Sequence, residues 1–417
     1  MTHEKKGIFP IFNKNILEIC HTYDFFQRDP TELISPYFNR TDVLVRINPF
    51  AELTKIIPVN RYSKYIKRNK LCPSGNIDNI RILPTNVYYL PGNYLYKYVG
   101  NLHYKSVKRA ILKNNLAFDL IHAHFTWSAG YVGARLKEEY DKPLVITAHG
   151  YDIYDLPFRN YDWRKKIESV LNTADHIITV SNKNLEFINQ LDVSTPVSVI
   201  PNGFRNDLFY PRNTTECRNR LKLPLDKKII LTVGNLEPVK GHKYLIEAIH
   251  KVIQQRKDIL CIIVGSGSLH NSLKRQIKKL GLEDYVLLAG GRPHNEIPLW
   301  MNACDLFVLP SLNEGNPTVM FEALGCGKPF VGTKVGGIPE IIISNNYGLL
   351  SERGKSDELA EKILTSLGKN WNHYEIIEYS KIFTWINIAD QLMAIYEKYL
   401  TGKSKNYNNN IFTNSTK

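Results

Sequence analysis

The sequence predicts an α/β protein built as two doubly wound domains, and three observations carry that expectation. From Lys228 to about Ser366, apolar runs at 229–233, 259–264, 285–289, 305–310 and 329–332 alternate with helix-like stretches of ten or more residues. Such alternation implies βαβ units and a parallel sheet covered by helices. The first half repeats the pattern less regularly. A length of 417 residues also exceeds what one core comfortably organises.

In the first half, strands are expected at Asn15 to Cys20, Val43 to Ile47, Ile80 to Leu83, Leu120 to His122, Leu144 to Thr147, His176 to Val180 and Val197 to Ile200. Asp119 to His124 and Ile146 to Asp152 each set histidine at a strand end. A lone strand-end histidine is more often a structural hydrogen-bonder than a catalyst, and for His122 and His124 both readings stay open. Tyr210 to Lys228 is polar and contains proline, which reads as an interdomain linker.

In the second half each run ends in a turn suited to ligand binding, because open parallel sheets bind at the carboxyl ends of their strands. Gly234 opens the turn after Ile229 to Val233, and Lys240 follows in that turn. Cys261 to Gly267 ends in Gly265 and Gly267, glycines that let backbone approach a ligand closely. A lone G-x-G is weak, and the third glycine of a dinucleotide fingerprint is absent. Val335 to Glu340 repeats the strand, glycine turn and helix start.

The segment from Asp305 to Ile343 carries most of the chemistry. Asp305 to Pro310 reads as a buried strand, and Pro317 opens a run of good helix formers with Asn316 as its N-cap. Glu314 and Gly315 then lie beside free helix-start amides, where the helix dipole attracts an anion. Glu322 follows about one and a half turns into that helix. On spacing alone Glu322 reads as a surface carboxylate.

Phe383 to Tyr399 looks like a terminal helix, and the Asn-, Lys- and Ser-rich residues beyond Leu400 have little to bury. Six cysteines, Cys20, Cys72, Cys217, Cys261, Cys304 and Cys326, form no C-x-x-C pair, so core packing is the better reading than disulfides or zinc. No signal peptide and no apolar run near eighteen residues is seen, so a cytoplasmic location is expected.

The net charge of +14 is uneven. Between Ala51 and Lys113 stand twelve Lys and Arg against Glu52 and Asp78, with eight tyrosines interleaved. Bases with amphipathic aromatics suit the headgroups of an anionic membrane, so peripheral attachment to the inner face of the cell membrane through 51–113 is an expectation. A solvated basic surface is the bland alternative. Nucleic acid is not expected as a partner, since no recognised nucleic-acid module accompanies the charge.

Glu314-Gly315-Asn316-Pro317 through Glu322-Ala323 to Gly327-Lys328-Pro329 resembles the E-x7-E signature of the retaining glycosyltransferases of family 4. Leu231 to Lys240 resembles that family's phosphate-binding turn, and Thr147-Ala148-His149-Gly150-Tyr151-Asp152 its acceptor-domain turn. The resemblance spans roughly Asp119 to Leu400 and implies a GT-B fold, two Rossmann-like domains facing a central cleft. Residues 1–205 would bind acceptor and 206–384 the nucleotide-sugar donor. A helix at 385–400 would cross back to the first domain, before a disordered tail at 401–417.

By the same resemblance Glu314 and His149 are catalytic. Gly234, Asn235, Lys240, Gly265, Gly267, Gly315, Asn316, Thr318 and Glu322 bind donor, and Asp152 lies on the acceptor side. The implied reaction moves a sugar from a nucleotide-sugar to a glycan or lipid-linked acceptor in surface polysaccharide or glycolipid synthesis. No cofactor and no metal is implied, since Lys240 and a helix dipole fill the cation role. Two departures stand out. Asn235 replaces an arginine common in relatives, and no glycine occurs between Gly7 and Gly75, where Tyr23 to Pro30 replaces the usual glycine-rich loop. A nucleotide-sugar 2-epimerase and a non-catalytic scaffold subunit remain alternatives.

Overall fold

The computed structural model describes residues 12–55, 67–71, 77–89 and 95–402. They divide into two compact units, one running to Pro201 and resuming at Trp385, the other Asn202–Thr384.

The first unit holds a seven-stranded sheet of β1 (Phe12–Cys20), β2 (Phe38–Ile47), β3 (Ile80–Asn86), β4 (Leu120–His124), β5 (Leu144–Ala148), β6 (His176–Thr179) and β7 (Val197–Val199). All pairings are parallel, in the order β3-β2-β1-β4-β5-β6-β7. Successive strand residues face opposite sides, so each side needs its own cover. Leu17, Ile19, Leu144 and Ile146 pack with Val132, Leu136, Ile167 and Val170 in one cluster. Ile16, Leu120, Val145 and Ile178 pack with Trp385, Ile388, Leu392 and Tyr396 in another. The final helix, Trp385–Thr401, thus belongs to the first unit because it covers that second face.

The second unit holds β8 (Lys228–Val233), β9 (Ile259–Val264), β10 (Val286–Gly290), β11 (Leu306–Leu309), β12 (Phe330–Thr333) and β13 (Gly348–Ser351), also all parallel, in the order β10-β9-β8-β11-β12-β13. Strand order reverses between β1 and β4, and again between β8 and β11. These switch points are where doubly wound sheets open a crevice at the carboxyl edge.

Several expectations need correction. Tyr210 to Lys228 is not a linker, because it contains the helix Thr214–Leu221, capped by Asn213 and packed within the second unit. Its anchor is buried Arg218, which donates to the Ala303 carbonyl at 2.9 Å and pairs with Asp305 at 2.7 Å. A single buried face carried by an arginine leaves the segment polar in composition. The first unit ends at Pro201 and not at 205. Asn202 bonds Asn316 twice, at 2.9 and 2.6 Å, and Phe204 N donates to the Phe383 carbonyl, which ties 202–205 to the second unit. Strand β13 had no counterpart in the apolar runs, being four residues that open on glycine. Tyr23 to Pro30 runs into a helix, Phe25–Ile34.

Cys20, Cys217, Cys261, Cys304 and Cys326 are free and buried. Cys72, Arg61, Lys64, Tyr62, Tyr65 and Tyr94, together with the tail from 403, lie outside the described residues. Among the described residues no helix is long and apolar enough to cross a membrane.

Candidate active site

The second unit's switch point is built from interlocked turns. After β8 the chain passes Gly234, Asn235 and a short 3-10 turn, Pro238–Lys240, before Gly241 starts the helix His242–Gln255. Gly241 has φ +66°, and a Cβ there would lie 2.0 Å from the Pro310 carbonyl oxygen, so glycine lets this turn press onto the end of β11. Gly265 and Gly267 have a related task. Their Cβ positions would fall 1.9 Å from the Gly234 oxygen and 2.6 Å from the Leu236 oxygen, so they pack turn against turn and do not simply admit a ligand. Asn235 is exposed, and its carbonyl accepts from the His242 ring at 3.2 Å.

The loop after β11 carries Glu314, which is 9% exposed. Its Oε1 accepts from Lys240 Nζ and from Ser311 Oγ, each at 2.6 Å. The loop after β12 clasps the backbone of the same residues. Gly337 N donates to the Gly315 carbonyl at 2.8 Å, and a Cβ on Gly336, at φ +53°, would sit 1.8 Å from the Glu314 oxygen.

The following helix is Thr318–Gly325, one residue later than expected. Pro317 is its N-cap, without a side-chain capping bond, because the Asn316 side chain instead accepts from Asn202 N. Met320 N bonds the Pro317 carbonyl, which leaves Thr318 and Val319 as the amides the helix start offers. Glu322 is buried at 4% exposure, so the surface reading fails. His294 Nε2 donates to its Oε1 at 2.7 Å, and the His294 ring packs on Phe209 at 5.3 Å. His294 was absent from the sequence-derived set. Its signal was the Gly290-Gly291-Arg292-Pro293 turn before it, one more glycine turn at a strand end.

In the first unit His149 follows β5. Its Nε2 meets His124 Nδ1 at 3.1 Å, Phe26 and Phe125 flank its ring, and its Nδ1 is buried without a hydrogen-bond partner. Burial holds its imidazole well below the usual histidine range. Asp152 is fully buried and accepts from the amides of Thr126 and Gly150, both at 2.8 Å, so it organises the turn instead of facing an acceptor. Burial raises its carboxyl to about 6.

Behind His149 lies a polar core that settles the open question over His122. Its two nitrogens meet Thr147 Oγ1 and the Tyr396 hydroxyl, both at 2.7 Å, making it a structural hydrogen-bonder. Glu18, His122 and His124 bring donor atoms within 4.8 Å of one another. With both His122 nitrogens engaged and Glu18 accepting from the Thr31 hydroxyl at 2.8 Å, this set is a hydrogen-bond network in form. Burial pushes Glu18 up to about 7 and His124 down to about 4.

Comparison with known proteins places this geometry. Residues 213–382 match the model of glycosyl transferases group 1, and residues 67–207 that of glycosyltransferase family 4. An uncharacterised glycosyltransferase of Methanocaldococcus jannaschii is 31% identical over 291 residues, 67% of this chain and 75% of the relative. Sucrose-phosphate synthase from Thermosynechococcus elongatus superposes with a TM-score of 0.77 at 20% identity, over 94% of this chain and 100% of that one. Anabaena HepE, solved in complex with UDP, gives 0.71 at 23% identity, over 92% and 100%. These two likenesses establish the GT-B fold. With two doubly wound parallel units and both family models matched, the chain belongs to the group 1, family 4 glycosyltransferases, and its reaction is glycosyl transfer.

Proposed function

We propose that the chain transfers a sugar, with retention at the anomeric carbon, from a nucleoside diphosphate sugar to a glycan or lipid-linked acceptor. The observation that carries this is the Lys240–Glu314 pair at 2.6 Å, held at the β8/β11 switch point beside the start of the helix Thr318–Gly325. Lys240 and the Thr318 and Val319 amides suit a diphosphate, whose charge grows as it leaves, and such preorganised stabilisation is usually the largest catalytic term. Glu314 orients the sugar ring through its hydroxyls. Glu322 takes ribose hydroxyls in exchange for His294. His149, whose Nδ1 is buried without a partner, is the catalytic candidate of the first unit. The C1–O bond to phosphate breaks as the acceptor oxygen bonds to C1 on the same face. The departing phosphate takes the acceptor proton, so no second carboxylate is needed, and Lys240 with the helix amides fills the cation role. HepE's complexes with UDP and UDP-glucose favour a uridine donor.

An anionic membrane fits the first unit. The helix Val99–Asn114 carries Lys105, Arg109 and Lys113 at four-residue spacing, with Leu102 and Leu112 exposed on it and Tyr88 and Tyr98 exposed nearby. Vesicle cosedimentation at physiological salt tests this part. Retention of the protein on phosphatidylglycerol vesicles, lost on replacing the three bases with glutamine, is expected.

The transfer itself is tested by proton NMR of reactions with a UDP-sugar panel and mixed acceptors. An anomeric product signal with the donor's configuration, absent for Glu314→Gln, is expected. An isomerised sugar nucleotide formed without acceptor would replace this reading with an epimerase.

A further inference from the structure

We propose that the first unit holds an anion-binding site on Arg46, Ser128 and His103, and that it takes a phosphate group of the acceptor. The word acceptor rests on the glycosyl-transfer reading. The anion site stands on the geometry alone.

The site lies at the carboxyl edge beside the β1/β4 reversal, where a doubly wound sheet opens its crevice. His21 follows β1, Arg46 stands near the end of β2, and Ser128 lies four residues beyond β4. Ser128 joins the three. Its amide donates to His21 Nε2 at 3.1 Å, and its Oγ accepts from Arg46 Nη1 at 2.6 Å and meets His103 Nδ1 at 2.9 Å. Lys70, itself buried, donates to the carbonyls of His21 and Arg46 at 3.0 and 3.1 Å.

Two buried nitrogens in this cluster are left over. Arg46 is 5% exposed, yet its Nε is buried without a hydrogen-bond partner, and so is Nε2 of fully buried His103. Ser128 Oγ accepts from Arg46 and can give its own proton to His103 Nδ1, the tautomer in which the imidazole proton sits on the unpartnered Nε2 and serves an anion. Burial and the Arg46 charge both hold His103 in that neutral form.

The charge is also unbalanced. Among the described residues no carboxylate pairs with Arg46, and the charged groups facing His21 and His103 are all basic. Outside the described residues the chain has one carboxylate side chain, Glu4. Tyr89 and Tyr96 face the guanidinium at 5.6 and 5.8 Å, which eases its burial without neutralising it. A buried guanidinium with an unpartnered Nε and no carboxylate counter-ion among the described residues is an arrangement that a phosphate oxygen completes. The donor diphosphate has its own cation, Lys240, and its own helix start in the second unit.

The test uses the full chain, with Arg46→Lys and Arg46→Met, in titration calorimetry against inorganic phosphate, a soluble hexose phosphate, and vesicles bearing a polyprenyl phosphate. UDP is titrated into each protein as the control for the donor site. Wild type is expected to bind inorganic phosphate, Arg46→Lys about tenfold more weakly because the fork is gone. Arg46→Met should lose phosphate binding without losing thermal stability, since it removes an uncompensated buried charge. UDP affinity should stay the same throughout. Whether the hexose phosphate or the vesicle binds more tightly identifies the source of the phosphate. No phosphate binding by wild type, or equal binding by wild type and Arg46→Lys, overturns the site. If Arg46→Met does not fold, the Arg46→Lys comparison decides. Loss of UDP binding by wild type would count against the glycosyl-transfer reading and leave the anion result standing by itself.

Discussion

The two sheets reverse strand order in the same way but handle charge in opposite ways at their carboxyl edges. In the second unit the ionisable groups come as pairs, Lys240 with Glu314 and His294 with Glu322, held by turns that glycines allow to interlock. In the first unit they are buried among themselves. Arg46, His21 and His103 share Ser128, while Glu18, His122, His124 and His149 lean on hydroxyls and on one another. Pairing gives each of these groups a partner that a ligand can replace. Burial without pairing neutralises whatever can be neutralised, and leaves the guanidinium as the fixed charge. One architecture therefore carries a paired cluster at one carboxyl edge and an unpaired one at the other.

The sharpest way to break this comparison is at Glu314. Glu314→Gln keeps the shape but weakens the hold of Lys240 and removes the carboxylate from the sugar. A loss of about 10²–10³-fold in kcat, with donor affinity retained, is expected in a steady-state transfer assay. A variant with near wild-type kcat would show that the pair is structural.

Next comes Glu18, the acid of the buried network. Its carboxyl is raised from 4.5 to about 7, so its contribution to stability is fully present below pH 4.5 and is lost as pH rises through 7. Unfolding in urea should therefore show Glu18→Gln gaining on wild type, by about 3 kcal/mol, as pH is raised across that window. A pH-independent difference between the two proteins would mean that Glu18 is charged and paired after all.

A smaller effect is expected at Gly336. Gly336→Ala adds a Cβ where the Glu314 carbonyl already lies, at a positive φ, and should cost about 1–3 kcal/mol of stability. Because the displaced backbone carries Glu314, kcat should fall with it. Stability lost without any change in kcat would uncouple the β12 loop from the site.

The second unit was more legible than the first, and the reason is physical. Its turns carry glycines, a proline and two glutamates close together in sequence, so Gly234, Lys240, Glu314 and Glu322 stand out by motif and spacing. What stayed hidden was partnership. Nothing near Glu322 announces His294, and composition made Thr214–Leu221 look like a linker because its anchor is an arginine. In the first unit all seven strands were placed, since parallel strands are nearly continuous apolar runs. The Arg46 cluster was not, because its members come from β2, a helix, the π-helical turn Thr126–Gly130 and the residue after β1. Its clue, a buried cation without a counter-ion, exists only once the chain is folded. Asp152 was picked out by its motif and proved to be the brace of its own turn.

The most direct test of the central claim is the thermal stability of the purified protein against UDP-, GDP-, ADP- and CMP-sugars, repeated with Glu322→Ala. A donor at one hundred times its dissociation constant should stabilise wild type by about 2.7 kcal/mol. The expected result is a shift with one nucleotide class, uridine first, that Glu322→Ala abolishes. A shift that survives Glu322→Ala would contradict the placement of the nucleotide on the helix Thr318–Gly325, and no shift with any donor would contradict the second unit as the donor site.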